Sequence, residues 1–192
     1  MVTNVYSYHL ISENIGNDHI LSVQTSSICT IFGNLKAKHM EKVFDIVENN
    51  RVILHRFLTG MSREQLLKIP EGFNNNIWWN IAHVVVTEQL LVYKMNGLPM
   101  NIDDALVDKF RKGTTPDGTA TDAEIKKIEE LMLSLPKQTK TDYENGVFKE
   151  FSEYTTSLNV TLSSVEDALS FNVFHEGLHL GSILALKRAI AN

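Results

Sequence analysis

The stretch Phe174-His175-Glu176-Gly177-Leu178-His179-Leu180-Gly181 decides how this chain is read. On a helix, four positions advance about 400°, so the imidazoles of His175 and His179 lie roughly 40° apart on one face and about 6 Å apart along the axis. Such a pair chelates metal. Its spacing also satisfies H-E-x-x-H, in which two histidines hold zinc and the glutamate between them acts as general base. The thirteen residues after His179 contain no His, Asp, Glu or Cys, so a third ligand has to be sought upstream. The best candidate is His83, in Asn76-Ile77-Trp78-Trp79-Asn80-Ile81-Ala82-His83-Val84-Val85-Val86.

Helical periodicity says where these residues point. Around the last helix, Ala168, Asn172, His175, His179, Ile183 and Leu186 fall within about 80°, so the histidines share the core-facing side. The same count puts Asn76, Trp79, Asn80, His83, Thr87 and Leu90 on one stripe of the earlier helix. Polar groups on a buried stripe need partners, because an unsatisfied buried amide or imidazole costs about 1–3 kcal/mol. A shared cation would supply them, with Asn76, Asn80 and Asn172 as candidate supporting amides. The competing reading of His83 is a core histidine bonded to a backbone carbonyl.

The chain has 192 residues, 43% apolar and 21% charged, enough for one compact domain with an ample core. A net charge of −5 gives no broad basic surface, which argues against nucleic acid or anionic lipid as partner. The single cysteine, Cys29, rules out an internal disulfide framework and fits a cytoplasmic location. No run approaches the ~18 consecutive apolar residues of a membrane-spanning helix.

Residues 1–39 differ in character from 40–192. Twelve of them are Ser, Thr or Asn, and no helical period is sustained, so a loosely ordered tail is expected there, preceding a domain over 40–192. No basic start followed by an unbroken apolar stretch marks a secretory signal. Met40 opens the first strongly periodic helix, which makes an upstream start codon a possible origin of residues 1–39. N-terminal sequencing of native protein beginning at Val2 or Thr3 would exclude that.

From Met40 the pattern predicts four helices. The first, over 40–59, carries Val43, Phe44, Val47, Leu54, Phe57 and Leu58 at i, i+3, i+4 spacing. Ser62-Arg63-Glu64-Gln65 has capping-box form, and a second long helix runs from about 75 to 96, apolar on most sides. A connection of about 24 residues to Thr121 exceeds the usual 2–8 for adjacent bundle helices, long enough to cross the bundle or form a lid. Thr121-Asp122-Ala123-Glu124 caps a third helix that Pro136 is expected to kink or stop, with Tyr143, Val147, Phe148 and Phe151 continuing it. The β-branched, polar stretch 154–162 suits a short extended piece, and Ser163-Ser164-Val165-Glu166 starts the last helix, to about Ala191.

Together, a Trp-containing second helix with one histidine and a last helix reading H-x-x-x-H-x-G resemble the DinB-like (DinB/YfiT-like) metal-binding four-helix bundles. The resemblance covers about 40–190. It implies an all-α four-helix bundle with His83, His175 and His179 as metal ligands. It also implies activities that depend on a divalent metal and a low-molecular-weight thiol, either S-transfer onto electrophiles or thiol-dependent isomerisation. Homodimers are implied too. Members often carry Gln where this chain has Ser182, which puts any contact of that amide in doubt.

The expected function is therefore a metal-dependent thiol S-transferase or isomerase acting on a small molecule, with Zn or Ni as cofactor. Three neutral imidazoles would leave an open coordination position for a thiol or a water. Glu176, on the edge of the stripe, is the candidate catalytic residue as proton acceptor. Glu88, Asp103 and Asp104 are weaker candidates. The alternatives are a zincin-type hydrolase using Glu176 as base and a non-catalytic, metal-stabilised dimeric bundle. Gly177 and Gly181 mark a face that another helix could approach closely, within the bundle or across a dimer. Trp78 and Trp79 suit core or pocket wall, His9, His19, His39 and His55 have no evident partner, and Lys187 and Arg188 suit the helix C-terminus.

Overall fold

A computed structural model describes residues 18–191; for residues 18–30 and 32 only the backbone is described. The chain divides into two units between His39 and Met40, and each is taken by itself. Of the first unit, residues 18–39 are helical, and Ile31 and Leu35 are exposed. These residues belong to the stretch expected as a tail, and their backbone is helical: once a helix is nucleated, each further residue adds a hydrogen bond at little cost, with no buried face required. Residues 1–17 lie outside the described part.

The second unit is an all-α bundle built on four long helices. The first is the 40–60 portion of α1 (Asp18–Gly60), after which Ser62 and Gln65 close the expected capping box on the short α2 (Arg63–Leu67). The second is α3 (Ile77–Glu88), capped by the Asn76 side chain on the Trp79 amide at 2.8 Å. It continues through a wider π-turn, Gln89–Tyr93, in which the Lys94 amide bonds to the Gln89 carbonyl, and a 3₁₀ turn, Lys94–Asn96. Gly97, at φ 66°, ends it in the left-handed region where glycine carries no Cβ penalty. The long connection holds a helix that the sequence reading lacked, α4 (Asp104–Phe110).

The third long helix, α5 (Asp122–Glu144), starts with the Thr121–Glu124 capping box and runs on through Pro136. Pro136 and Leu135 are buried there, so packing of the apolar face outweighs the lost backbone bond, and the expected stop does not occur. The helix ends at Asn145 and Gly146, leaving Val147, Phe148 and Phe151 outside it. A two-residue antiparallel hairpin, β1 (Tyr154–Thr155) with β2 (Thr161–Leu162), follows in the stretch expected to be extended. The fourth long helix is α6 (Val165–Ala191), whose Asp167 amide is capped by Ser164.

α3 is the central element. Every residue from Ile77 to Val86 is buried, and its apolar side chains join Leu54 and Leu58 of α1, Ile128, Met132 and Leu135 of α5, and Ile183 and Leu186 of α6 in one core. A second cluster joins Met40, Val43 and Phe44 of α1 to Val92, Tyr93, Val165 and Leu169. Each such fully buried aliphatic or aromatic side chain contributes about 1.5–3 kcal/mol relative to exposure. No helix among the described residues is long and apolar enough to cross a membrane.

Candidate metal centre

α3 and α6 pack side by side and bring His83, His175 and His179 together, each offering a ligand atom within 4.8 Å of the others. His175 Nε2 lies 3.2 Å from His83 Nε2 and 3.1 Å from His179 Nε2. Three imidazole nitrogens on a tetrahedral zinc at 2.0–2.1 Å would stand about 3.3 Å apart, so the observed spacings are those of a ligand triangle.

Hydrogen bonds on the far side of two rings fix their tautomers. His83 Nδ1 is 2.6 Å from the Phe110 carbonyl at the end of α4, and a carbonyl only accepts, so Nδ1 carries the proton and Nε2 a lone pair. Asn80 donates its amide to the Asn76 carbonyl at 2.7 Å and to Asn75 at 3.1 Å, which turns its carbonyl oxygen toward His179 Nδ1 at 2.7 Å. His179 therefore also presents a lone pair from Nε2. One proton on His175 Nε2 serves only one of these two lone pairs well, whereas a cation satisfies all three nitrogens at once. Thr87 Oγ1, 3.3 Å from His83 Nε2, offers a weaker partner, and His175 Nδ1 is buried with none. The donor set fits a borderline divalent metal such as zinc or nickel.

Trp79 stacks on His83 at 4.5 Å between centroids and 11° between planes, and its indole N–H donates to Thr114 Oγ1. His83 is buried and the α6 pair half-buried. Burial holds the His83 ring below its ordinary pKa. Burial and the neighbouring His179, His83 and Arg51 charges push His175 down to about 2, and burial with His83 takes His179 to about 4. All three are therefore neutral at physiological pH, the form that binds metal.

The histidines lie in the wall of a cavity of about 420 Å³, which the hairpin flanks with Tyr154, Thr156, Ser157 and Leu158. Glu176 is not brought to this cavity. It is fully buried, and its Oε1 accepts from Arg51 Nε at 2.9 Å, Arg51 Nη2 at 2.7 Å and Asn172 Nδ2 at 2.9 Å. Arg51 also donates to Glu88 at 2.7 Å and reaches the Val84 carbonyl at 3.5 Å, while Thr139 donates to the other Glu88 oxygen at 2.7 Å. Burial raises the Glu88 carboxyl above its ordinary range despite the arginine. Arg51 and this ion-pair cluster were not foreseen from the sequence.

The remaining candidates are placed as follows. Asp103 caps α4 and pairs with Lys127, and Asp104 opens that helix. Asn76 serves as helix cap, Asn172 serves Glu176, and only Asn80 touches a ligand histidine. Trp78 is core. Among the described residues, a Cβ at Gly177 or Gly181 would meet nothing within 4 Å, and Ser182 is exposed and bonded to the Leu178 carbonyl. His55 pairs with Glu129, His39 is exposed, and His9 and the His19 side chain lie outside the described residues.

The DinB superfamily family model matches residues 46–183, which include all three histidines. This chain belongs to the DinB superfamily. Within that DinB match lie α3 and α5 whole, most of the other two long helices of the second unit, the connection that holds the His83 ring and the Arg51 cluster. No curated protein matches this DinB chain.

Proposed function

We propose that this protein is a metal-dependent enzyme in which His83, His175 and His179 hold one divalent ion, zinc or nickel, at the wall of a small-molecule cavity. The observation that carries this is the convergence of three Nε2 atoms, two of them with their protons committed elsewhere. Bound there, a divalent metal supplies Lewis-acid activation of a thiol or water through the position the three imidazoles leave open. The chain's own part is to hold the imidazoles neutral, orient them through Phe110 and Asn80, and shield the site with apolar walls.

The reaction class proposed is thiol S-transfer or thiol-dependent isomerisation, with a low-molecular-weight thiol as cosubstrate. The hydrolase reading needs Glu176 as base, and its engagement by Arg51 and Asn172 speaks against it. A cytoplasmic homodimer without nucleic-acid or membrane partners completes the proposal. The half-exposed Phe174, Leu178 and Leu184 of α6 support the dimer.

The test is metal analysis by mass spectrometry on untagged protein and on His83→Ala and His179→Ala, followed by thiol titration of a cobalt-substituted sample. About one ion per chain, lost in both variants, together with a thiol-dependent shift of the cobalt spectrum, is the expected result. Absence of metal uptake would overturn the proposal, and uptake without any spectral response would leave a structural metal as the better account.

A further inference from the structure

The cavity beside the histidines carries information about its ligand that the metal centre alone does not. Its apolar surface comes from Leu90, Leu91 and Phe171 with the partly exposed Leu158 and Leu178, and its volume suits a small organic molecule. The formally charged side chains lining it are Lys94, from the 3₁₀ end of the α3 segment, and Lys112, just beyond α4; no Asp or Glu lines it. In a chain of net charge −5, a cavity whose fixed charges are all positive runs against the average composition.

Three lysines of the unit are answered by carboxylates, Lys42 with Asp45, Lys109 with Glu124 and Lys127 with Asp103. Lys94 and Lys112 have no carboxylate within ion-pair distance among the described residues. Lys94 precedes the long connection and Lys112 lies within it, beyond α4, so the folded chain, not local sequence, puts two lysines without a carboxylate partner at one apolar hollow. An ammonium beside low-dielectric walls attracts an anion more strongly than one in open water.

We propose that the cavity takes an organic carboxylate, its anionic end held by Lys94 and Lys112 and its apolar body laid against Leu91 and Phe171, beside the histidines. This rests on the function proposed above for what happens at the metal, but not for the binding itself. The lysines select for charge, and the apolar wall selects for a hydrocarbon body over a small inorganic anion.

The experiment compares 3-phenylpropionate with its uncharged amide, 3-phenylpropanamide, in NMR titrations of the full chain, zinc-loaded and chelator-stripped. The acid should bind about tenfold tighter than the amide in both forms. Lys94→Gln and Lys112→Gln should each narrow that ratio about threefold, as expected for an exposed charge–charge contact, and the double variant should bring it close to one. Both lysines are exposed, so neither change should alter folding or metal content.

An acid-to-amide ratio near one in the wild type would overturn the proposal, as would a ratio unchanged in the double variant. A preference that vanishes on stripping yet survives in the double variant would place the carboxylate on the metal and overturn it too, as would failure of both compounds to bind at millimolar concentration. A chain that takes up no metal but keeps a lysine-dependent preference would sink the metal reading and leave this one standing.

Discussion

His175 and Glu176 are neighbours in the chain, yet they belong to two polar clusters that meet the demands of burial in opposite ways. Around Glu176, opposite charges meet: one guanidinium, Arg51 from α1, faces two carboxylates on α3 and α6, and Asn172 and Thr139 add donors. Around His175, like faces like, with three imidazole nitrogens turned toward one another, His175 Nε2 about 3 Å from each of the other two, and at most one proton to share among them. The first arrangement is built from the chain alone and ties α1, α3, α5 and α6 together, although Arg51 Nη1, Asn172 Oδ1 and Glu176 Oε2 are left without a partner among the described residues. The second asks for something from outside. Buried polar groups thus serve as fasteners in one place and as an invitation in the other, separated by one residue along α6.

The strongest way to break the comparison is to remove the fastener. Arg51→Met leaves two buried carboxylates without a counter-charge and should cost about 3–5 kcal/mol in urea unfolding of the metal-free protein. A loss under about 1 kcal/mol would show that the cluster does not hold the bundle.

Acid separates the two clusters next. His175 and His179 titrate in the fold at about 2 and about 4, below the ordinary 6.5, so the unfolded chain binds more protons between those values and 6.5. Their contribution to stability is present above pH 6.5 and is lost as the pH falls toward the folded values, at up to about 1.4 kcal/mol per pH unit for each imidazole. Urea melts of stripped protein from pH 7 to pH 4.5 should show this decline. In the His175→Leu, His179→Leu double variant the slope should flatten, and an unchanged slope would assign the acid response to other groups.

Asn80→Ala sharpens the contrast from the metal side. It removes the acceptor that fixes the His179 tautomer, and competition with a chromogenic chelator should report zinc binding weakened about 10- to 100-fold. The smallest effect is expected from Thr139→Val, which deletes one donor to Glu88 while keeping the volume. It should cost about 1 kcal/mol and leave zinc affinity unchanged. A shift in zinc affinity there would mean that the two clusters are coupled.

The centre was legible in the sequence because its signal is local: two histidines at i, i+4, a third on a stripe of tryptophan and asparagine, and apolar neighbours that say which way the stripes face. The bundle was legible for the same reason, through capping boxes at Ser62 and Thr121 and sustained 3.6-residue periods. The Arg51 cluster was not. An arginine in a periodic helix reads as solvated, Glu88 falls on the side of its helix away from His83, and Glu176 sits at the edge of its stripe. Whether such a charge is buried depends on what other helices lay over it. The course of α5 through Pro136 escaped the reading likewise, since a proline is taken locally as a breaker and only the packing of the buried face decides otherwise.

The π-turn at Gln89–Tyr93 has a genetic consequence. A π-turn is an α-helix carrying one surplus residue, so loss of a single codon in 89–93 would restore the ordinary pitch. Every side chain beyond it, Lys94 among them, would keep its angular position, because the wide turn already spreads the surplus residue over one revolution, and His83, six positions upstream of Gln89, would not move either. The segment can therefore lose a residue by the shortest in-frame mutation there is without re-aiming either the lysine or the histidine.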